Sequence, residues 1–381
     1  MTFSREAIER ITKTGFIDGN RVKLLYKGRD SFETIFSNIE TAREIICLQF
    51  YIFRNDETGT ELSELLRKKA KEGIKVYILY DHFGSFGTPS RFWEGLRREG
   101  IHVRASRPFK WDKLFDYPHR DHRKLIIIDR KKAFTGGLNI ANEYRGFHIR
   151  LKKEGWRDTG IMIEGPAASE LFRVFEMAWS LWGGDKINVA GGSAEAFEDG
   201  LPVMPIFASS ARGRRKMRKL LYYSIHNSKK NIYLTTAYFT PSRRMLDSLE
   251  NAVRRGVEVC LLLPGKSDVP AAHYAGRAFF TRLLKRGIRI YNYQGDVLHA
   301  KSYVFDGCWS IVGSANLDFQ SLRWNDEGNV GILDEGFGRE MVDVFEEDLK
   351  KSKEISIEDW QLRPCSEKIK EMFFALFRKR L

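Results

Sequence analysis

A chain of 381 residues exceeds the size at which one hydrophobic core stops growing, and with 43% hydrophobic residues it can fill two cores, so two domains are expected. Its 64 basic residues against 50 acidic ones leave a net charge of +14, which points to an anionic partner (nucleic acid, a phosphorylated metabolite or an acidic membrane) without choosing among them. The scattered Cys47, Cys260, Cys308 and Cys365, with no Cys-x-x-Cys pair, speak against disulfides and structural zinc, and no apolar run approaches the ~18 residues that a membrane-spanning helix needs.

Residues 1–19 lack a signal-peptide pattern and form an N-terminal segment ahead of a first domain at 20–185. That domain opens with an apolar strand at 45–53. A helix at 61–72 follows, with Leu62, Leu65, Leu66 and Ala70 at helical spacing and an end at Gly73, and then a strand at 76–80 and a second helix closing on Gly100. The stretch 183–205 is rich in Gly, Ala and Asp and broken by Pro202 and Pro205, and residues 186–205 of it read as a linker. The second domain, 206–350, repeats the order: a strand at 232–239, a helix at 245–255 ending at Gly256, a strand at 257–263 and a helix closing on Gly287. A repeat of this period suggests a duplicated domain, and strands alternating with helices make it an α/β fold with sheets packed between helix layers. Residues 351–381 form a tail whose end sets Ile369, Met372, Phe373, Leu376 and Phe377 on one helical face among basic residues. That face suits either a membrane surface or the protein's own core.

The chemistry lies in the unit His-x-Lys-x4-Asp, which occurs at His122/Lys124/Asp129 and again at His299/Lys301/Asp306. On a strand, period-2 geometry puts each histidine and its lysine on one face, about 7 Å apart, and the aspartates on the other, so the aspartates read as mainly structural. Each unit leads to a glycine 14 positions beyond its histidine (Gly136, Gly313) and an asparagine 17 beyond (Asn139, Asn316), an agreement that duplication explains. Two imidazoles and two ammonium groups converging on one cleft suit a phosphodiester: one imidazole attacks phosphorus, the other protonates the leaving alkoxide, and the cations balance the phosphoryl oxygens, with no metal required. Two like groups must then titrate apart, which calls for a carboxylate near at least one of them, and Asp158 and Glu327 are the candidates. Pro264-Gly265-Lys266-Ser267 looks like the end of a P-loop, but Cys260 stands where the first glycine belongs, so no ATP site is expected. The other histidines show no metal-ligand spacing; His119 and Arg120 are placed to line the cleft mouth.

These residues resemble the phospholipase D superfamily and, within it, the bacterial cardiolipin synthases, over about residues 20–364. The likeness takes in Tyr51-Ile52-Phe53, Tyr80-Asp81-His82-Phe83-Gly84-Ser85, Gly136 to Tyr144, Trp156-Arg157-Asp158, Ala237-Tyr238-Phe239-Thr240-Pro241 and Gly313-Ser314-Ala315-Asn316-Leu317-Asp318. The resemblance implies two phospholipase-D-like domains, each a mixed β-sheet flanked by helices, with one active site at their pseudo-twofold interface. It implies a cofactor-free phosphatidyltransferase: one phosphatidylglycerol donates through a phosphatidyl-histidine, glycerol leaves, and a second phosphatidylglycerol accepts. By the same analogy His122 is the nucleophile and His299 the acid and then base, an order the near-symmetry of the motifs leaves open, while Lys124, Lys301, Asn139 and Asn316 hold phosphoryl oxygens. Many members carry N-terminal transmembrane helices that this sequence lacks, so a peripheral seat on the cytoplasmic face of a bacterial membrane is expected. It would come from the tail or from residues 107–117, a bulky basic stretch that suits either an interfacial or a self-packed loop. A hydrolase or nuclease would share the motifs, although no nucleic-acid partner is expected; a non-catalytic binder of anionic surfaces would not need two such histidines.

Overall fold

In the computed structural model, residues 3–108, 119–146, 155–189, 192 and 194–378 are described. Within the first half lie β1 (Ile17–Leu25), β2 (Ile45–Phe50), β3 (Lys75–Asp81), β4 (His102–Ser106), β5 (Leu125–Ile128), β6 (Lys132–Gly136) and β7 (Gly160–Glu164). The second half contributes β8 (Leu201–Ala208), β9 (Asn231–Thr236), β10 (Glu258–Pro264), β11 (Arg289–Tyr293), β12 (Lys301–Phe305), β13 (Trp309–Gly313), β14 (Glu327–Leu333) and β15 (Ser352–Glu354). They form one sheet in the order β15-β11-β10-β9-β12-β13-β14-β8-β1-β7-β6-β5-β2-β3-β4. Read outward from the centre, β1-β7-β6-β5-β2-β3-β4 and β8-β14-β13-β12-β9-β10-β11 are the same topology written twice. The two copies meet edge to edge where β1 pairs antiparallel with β8. In each copy the outer strands (β2, β3 and β4; β9, β10 and β11) run parallel and the hairpin strands antiparallel, which makes the sheet mixed.

Local signals account for many of the elements. The helix Glu57–Lys71 starts where the Asp56 side chain accepts from the Gly59 amide, carries Lys68, Lys69 and Lys71 in its last turn, and hands the chain on at Gly73, whose φ is 86°. Both motif hairpins turn through left-handed residues, Asp129 (φ 51°) with Arg130 (φ 58°) and Asp306 (φ 52°) with Gly307 (φ 63°), the backbone of a type I′ turn, closed by the Lys131 amide on the Ile128 carbonyl and the Cys308 amide on the Phe305 carbonyl. Helices cover the outer faces, while Leu24, Ile45, Leu125 and Ile163 of the first half share a core with Val304, Val312, Val330 and Ile332 of the second. Burial across that core fixes the two halves against each other.

Three segments expected outside the two domains pack into them. In the N-terminal segment the helix Arg5–Thr12 places Ile8, with Phe3 and Phe16, in the core of the second half, where Phe16 meets Trp309 edge-on at 6.0 Å. The expected linker ends in β8, which pairs with β14 and β1. Pro202 and Pro205 lack a donor but still offer carbonyls, and Val203 and Met204 are buried. The tail begins as β15 on the edge of β11 and buries Trp360 before its final helix. Each motif strand is also shorter than expected: β5 and β12 begin at Leu125 and Lys301, so His122 and His299 lie just ahead of the ladders. Of the expected interfacial loop, residues 109–117 lie outside the described residues. Among the described residues, no helix is long and apolar enough to cross a membrane.

Candidate active site

At the C-terminal ends of β2 and β9 the two halves exchange backbone hydrogen bonds. The His122 amide donates to the Asp326 carbonyl at 2.9 Å and the Asp326 amide to the Arg120 carbonyl at 2.8 Å; on the other side the His299 amide donates to the Arg157 carbonyl at 2.8 Å and the Arg157 amide to the Val297 carbonyl at 2.9 Å. Each histidine is therefore held by the strand leading into the other half's β7 or β14. The side chains repeat this exchange. His122 Nδ1 lies 3.0 Å from Glu327 Oε2, and His299 Nδ1 lies 2.8 Å from Asp158 Oδ2. Ser314 donates to the same Glu327 oxygen at 2.5 Å, and the Thr159 amide donates to Asp158 Oδ1 at 2.7 Å, so both carboxylates are fixed in turn. A carboxylate can only accept, so each Nδ1 carries a proton and each Nε2 presents a lone pair.

The lysines follow from the same short segments. Lys124 Nζ donates to the His122 carbonyl at 2.7 Å, and Lys301 Nζ donates to the His299 carbonyl and stands 2.7 Å from His299 Nδ1 and 3.2 Å from its Nε2. His299 Nδ1 thus faces an acceptor and a cation together. The hydrogen bond in which it can donate is the one to Asp158, and Lys301 acts on the ring as a neighbouring positive charge. All six side chains are buried, with His122 at 8% and His299 at 4% exposure.

Burial sets the electrostatics. It pulls His122 down to about 4, helped by the Lys124 charge and opposed by Glu327. Burial likewise lowers His299, with Lys301 adding to the effect and Asp158 and Asp268 opposing it. Lys124 is drawn down to about 7 by burial, against the pull of Glu327, and Lys301 is also lowered by burial. For the carboxylates burial pushes upward, but Lys301 and His299 outweigh it at Asp158, and His122 and Lys124 outweigh it at Glu327, so both end lowered and ionised.

Asp129 and Asp306, the last members of the motifs, are not brought to the cleft. At the far ends of β5 and β12, Asp129 accepts from the amides of Arg43, Glu44 and Ile45 and Asp306 from those of Lys229, Lys230 and Asn231, which fixes the start of the neighbouring β2 and β9. Asn139 and Asn316 turn their carbonyl oxygens to the Ile52 amide (3.0 Å) and the Tyr238 amide (3.3 Å), and Asn139 donates its amide to the Tyr144 hydroxyl at 2.8 Å. In this geometry the asparagines tie the loops behind the hairpins to the ends of β2 and β9. His119 Nδ1 lies 2.8 Å from the Trp324 carbonyl, and the Arg120 guanidinium sits 4.3 Å over the Phe83 ring, both beside His122 in sequence.

The aromatic walls were not singled out as site residues from the sequence. Tyr51 lies edge-on to the His122 ring at 4.8 Å, and Tyr144, Trp156 and Tyr238 surround the His299 ring at 5.4, 5.4 and 6.1 Å. Tyr51 and Tyr238 stand one and two positions beyond the apolar strands β2 and β9, and all four aromatics lie in segments that carry the family likeness, signals that could have marked them. Behind His122, Arg123 grips Asp121 through two hydrogen bonds of 2.7 and 2.8 Å, and the Asp121 amide donates to Asp81 at 2.8 Å.

The chain matches the family described as "Cardiolipin synthase, PLD-like domain" over residues 35–179 and 221–349, a pair of segments that contains both halves of this site. It belongs to that family, within the phospholipase D superfamily. Relatives include the "Cardiolipin synthase A" of Pseudomonas putida (strain KT2440), 32% identical over 356 residues, covering 93% of this chain and 73% of the relative. The "Major cardiolipin synthase ClsA" of Bacillus subtilis (strain 168) is 34% identical over 362 residues, covering 93% of this chain and 74% of that protein. Among solved structures, a phosphatidylserine synthase of Haemophilus influenzae Rd KW20 superposes with a TM-score of 0.73 at 14% identity, covering 99% of this chain and 100% of that one. A polyphosphate kinase of Porphyromonas gingivalis gives 0.62 at 17% identity, covering 89% of this chain and 49% of the kinase. At these identities the structural likeness concerns the fold. The duplicated α/β architecture read from the sequence is the one these relatives share.

Proposed function

We propose that the chain is a metal-independent phosphatidyltransferase, peripheral on the cytoplasmic face of a bacterial membrane, that makes cardiolipin and glycerol from two molecules of phosphatidylglycerol. The observation that carries the reading is the crossed pair of histidine–carboxylate contacts in one buried site with two lysines, in a chain whose relatives are named cardiolipin synthases. His122 Nε2 attacks the phosphorus of the donor. The bond from phosphorus to the glycerol oxygen breaks, and His299 passes the proton on its Nε2 to that oxygen. The hydroxyl of a second phosphatidylglycerol then gives its proton back to His299 and attacks phosphorus, and the phosphorus–nitrogen bond to His122 breaks. Each step leaves the histidines ready for the next.

Charge balance supports the assignment. Two ammonium groups and two carboxylates sum to zero, so a bound phosphodiester monoanion leaves the buried site one positive charge short. Its field raises the lysines and one imidazole. His299, which has Asp268 as well as Asp158 near it, takes the proton more readily than His122, which lies under the influence of both lysines. The purified chain with phosphatidylglycerol vesicles should form cardiolipin and glycerol in equal amounts, with phosphatidic acid a minor product. Phosphatidic acid alone would make it a hydrolase, and cleavage of nucleic acid with no action on any phospholipid would sink the lipid reading.

A further inference from the structure

The final helix, Cys365–Ala375, is mounted with its apolar side out. Its polar side faces the protein: Glu371 is 2% exposed and held by Arg277 Nε at 3.0 Å and Arg363 Nη2 at 2.7 Å, Glu367 lies 3.3 Å from Arg277, and Phe374 stacks on Tyr274 with centroids 5.9 Å apart. On the opposite side Ile369, Met372, Phe373 and Leu376, at i, i+3, i+4 and i+7, are 61, 64, 55 and 77% exposed, and Phe377 continues the stripe at 45%. Single exposed apolar residues are ordinary, but a contiguous stripe on a helix pinned by buried ion pairs marks a surface that meets something. Lys370 is exposed beside the stripe, where it also pairs with Glu367 at 3.2 Å, and Arg378 is exposed in the turn after the helix.

A chain of contacts links the helix that carries the stripe to the active site. The helix Pro270–Arg277, on which it is mounted, begins two residues after Asp268; that carboxylate accepts from the Tyr238 hydroxyl at 2.6 Å, and the Tyr238 ring is 6.1 Å from that of His299. At the equivalent place in the first half, the loop after β3 exposes Phe83 at 46% and Phe86 at 80%, and Asp81 at its start binds the amide next to His122. Each half therefore carries exposed apolar side chains on an element tied to its side of the cleft.

We propose that the outward face of this helix, together with Phe83 and Phe86, seats the protein on an anionic bilayer and holds the cleft against the lipid headgroups. The choice of bilayer lipid rests on the phosphatidyltransferase reading. An apolar stripe with Lys370 at its edge and Arg378 just beyond its helix, on a chain of charge +14, complements a negatively charged surface. In a twofold contact with a second copy the same basic edges would face one another.

Cosedimentation of the full chain with phosphatidylglycerol vesicles, and with phosphatidylcholine vesicles as the neutral control, tests this. A Phe373→Asp/Leu376→Asp variant should bind phosphatidylglycerol vesicles at least tenfold more weakly and lose turnover on them in proportion. It should keep its thermal midpoint, and its turnover of a short-chain phosphatidylglycerol dissolved as monomers should stay within about twofold. Phe86→Asp, far from the helix in sequence, should shift vesicle binding in the same direction and serves if the double variant does not fold. Unchanged vesicle binding by both variants overturns the proposal, as does equal loss of turnover on vesicles and monomers, or a dimer that the substitutions dissociate without weakening vesicle binding. Cosedimentation needs no turnover, so a chain that binds vesicles through this face yet makes no cardiolipin would refute the enzymatic reading and leave the seat standing.

Discussion

Replacing Glu327 by Gln tests the crossed contacts most directly. The carboxylate is 1% exposed and its Oε2 lies 3.0 Å from His122 Nδ1, so the substitution keeps the shape and removes a buried charge. A hydrogen bond to a buried carboxylate is worth roughly 1.5 to 3 kcal/mol, and it strengthens as the attacking ring becomes cationic; at 1.36 kcal/mol per factor of ten this alone accounts for a loss of about 10- to 150-fold. The Gln side chain can also offer an N–H to Nδ1, which moves the proton to Nε2 and removes the attacking lone pair, the kind of tautomer error that costs about 10⁴ in a serine protease triad. We expect kcat for cardiolipin formation on phosphatidylglycerol vesicles to fall by about 10² to 10⁴. Glu327 raises His122 and Lys124, so without it both drop further, His122 below about 4 and Lys124 below about 7, and no shift of pH restores the rate. A kcat within threefold of the wild type with an unchanged pH profile would refute the role given to Glu327.

Three further outcomes are expected. His122 at about 4 and Lys124 at about 7 both lie below their ordinary values of 6.5 and 10.5, so the unfolded chain binds more protons and acid favours it. Stability should fall as pH drops through 10.5 to 7 for the lysine and through 6.5 to 4 for the histidine, the latter by about 3 kcal/mol. Urea midpoints of wild type and His122→Asn measured between pH 7 and 4 check this, since equal slopes for the two would contradict it. Asp306→Ala removes the acceptor of three backbone N–H groups and should cost about 2 to 4 kcal/mol in urea unfolding while leaving kcat per folded molecule within twofold; a catalytic role would reverse that pattern. Gly137→Ala would put a Cβ 1.9 Å from Asp158 Oδ1, so it should lower kcat at least 100-fold through His299, and unaltered activity would mean that Asp158 need not sit where it does.

The repeat was legible because duplication kept the spacing of His, Lys, Gly and Asn, and Asp158 and Glu327 could be named because they stand in recognisable segments. Which carboxylate meets which histidine was not legible. The partners lie 141 and 205 residues apart and come together only because the halves join along β1 and β8 and share a core. The same limit hid the N-terminal helix, whose Ile8 is buried with Trp309 of the second half. Strand β8 was missed for a local reason, since its two prolines read as breakers although the missing donors leave its carbonyls free to pair. Periodicity found the stripe on the final helix but could not say which way it faced; Glu371, held by Arg277 and Arg363, decides that.

The duplicated frame raises a problem that only its departures from symmetry solve. Two imidazoles in identical surroundings would share one proton between them, whereas the proposed reaction needs a neutral nucleophile and a protonated acid at once. The two strands that hold the histidines already differ: Arg157 grips Asp348 at 2.9 Å, while at the matching place Asp326 takes Arg107 at 2.5 Å and Arg214 at 3.3 Å. Nearer the rings, Asp268 favours the charged form of His299, and both lysines oppose that of His122. The order of events is then a prediction in its own right. With a phosphatidyl nitrophenol, whose leaving group needs no acid, His299→Asn should release a stoichiometric burst of nitrophenol and retain a phosphatidyl group on the protein, because attack proceeds and transfer to the second alcohol lacks its base. His122→Asn should give no burst. A burst from His122→Asn and none from His299→Asn would assign the nucleophile to the other half.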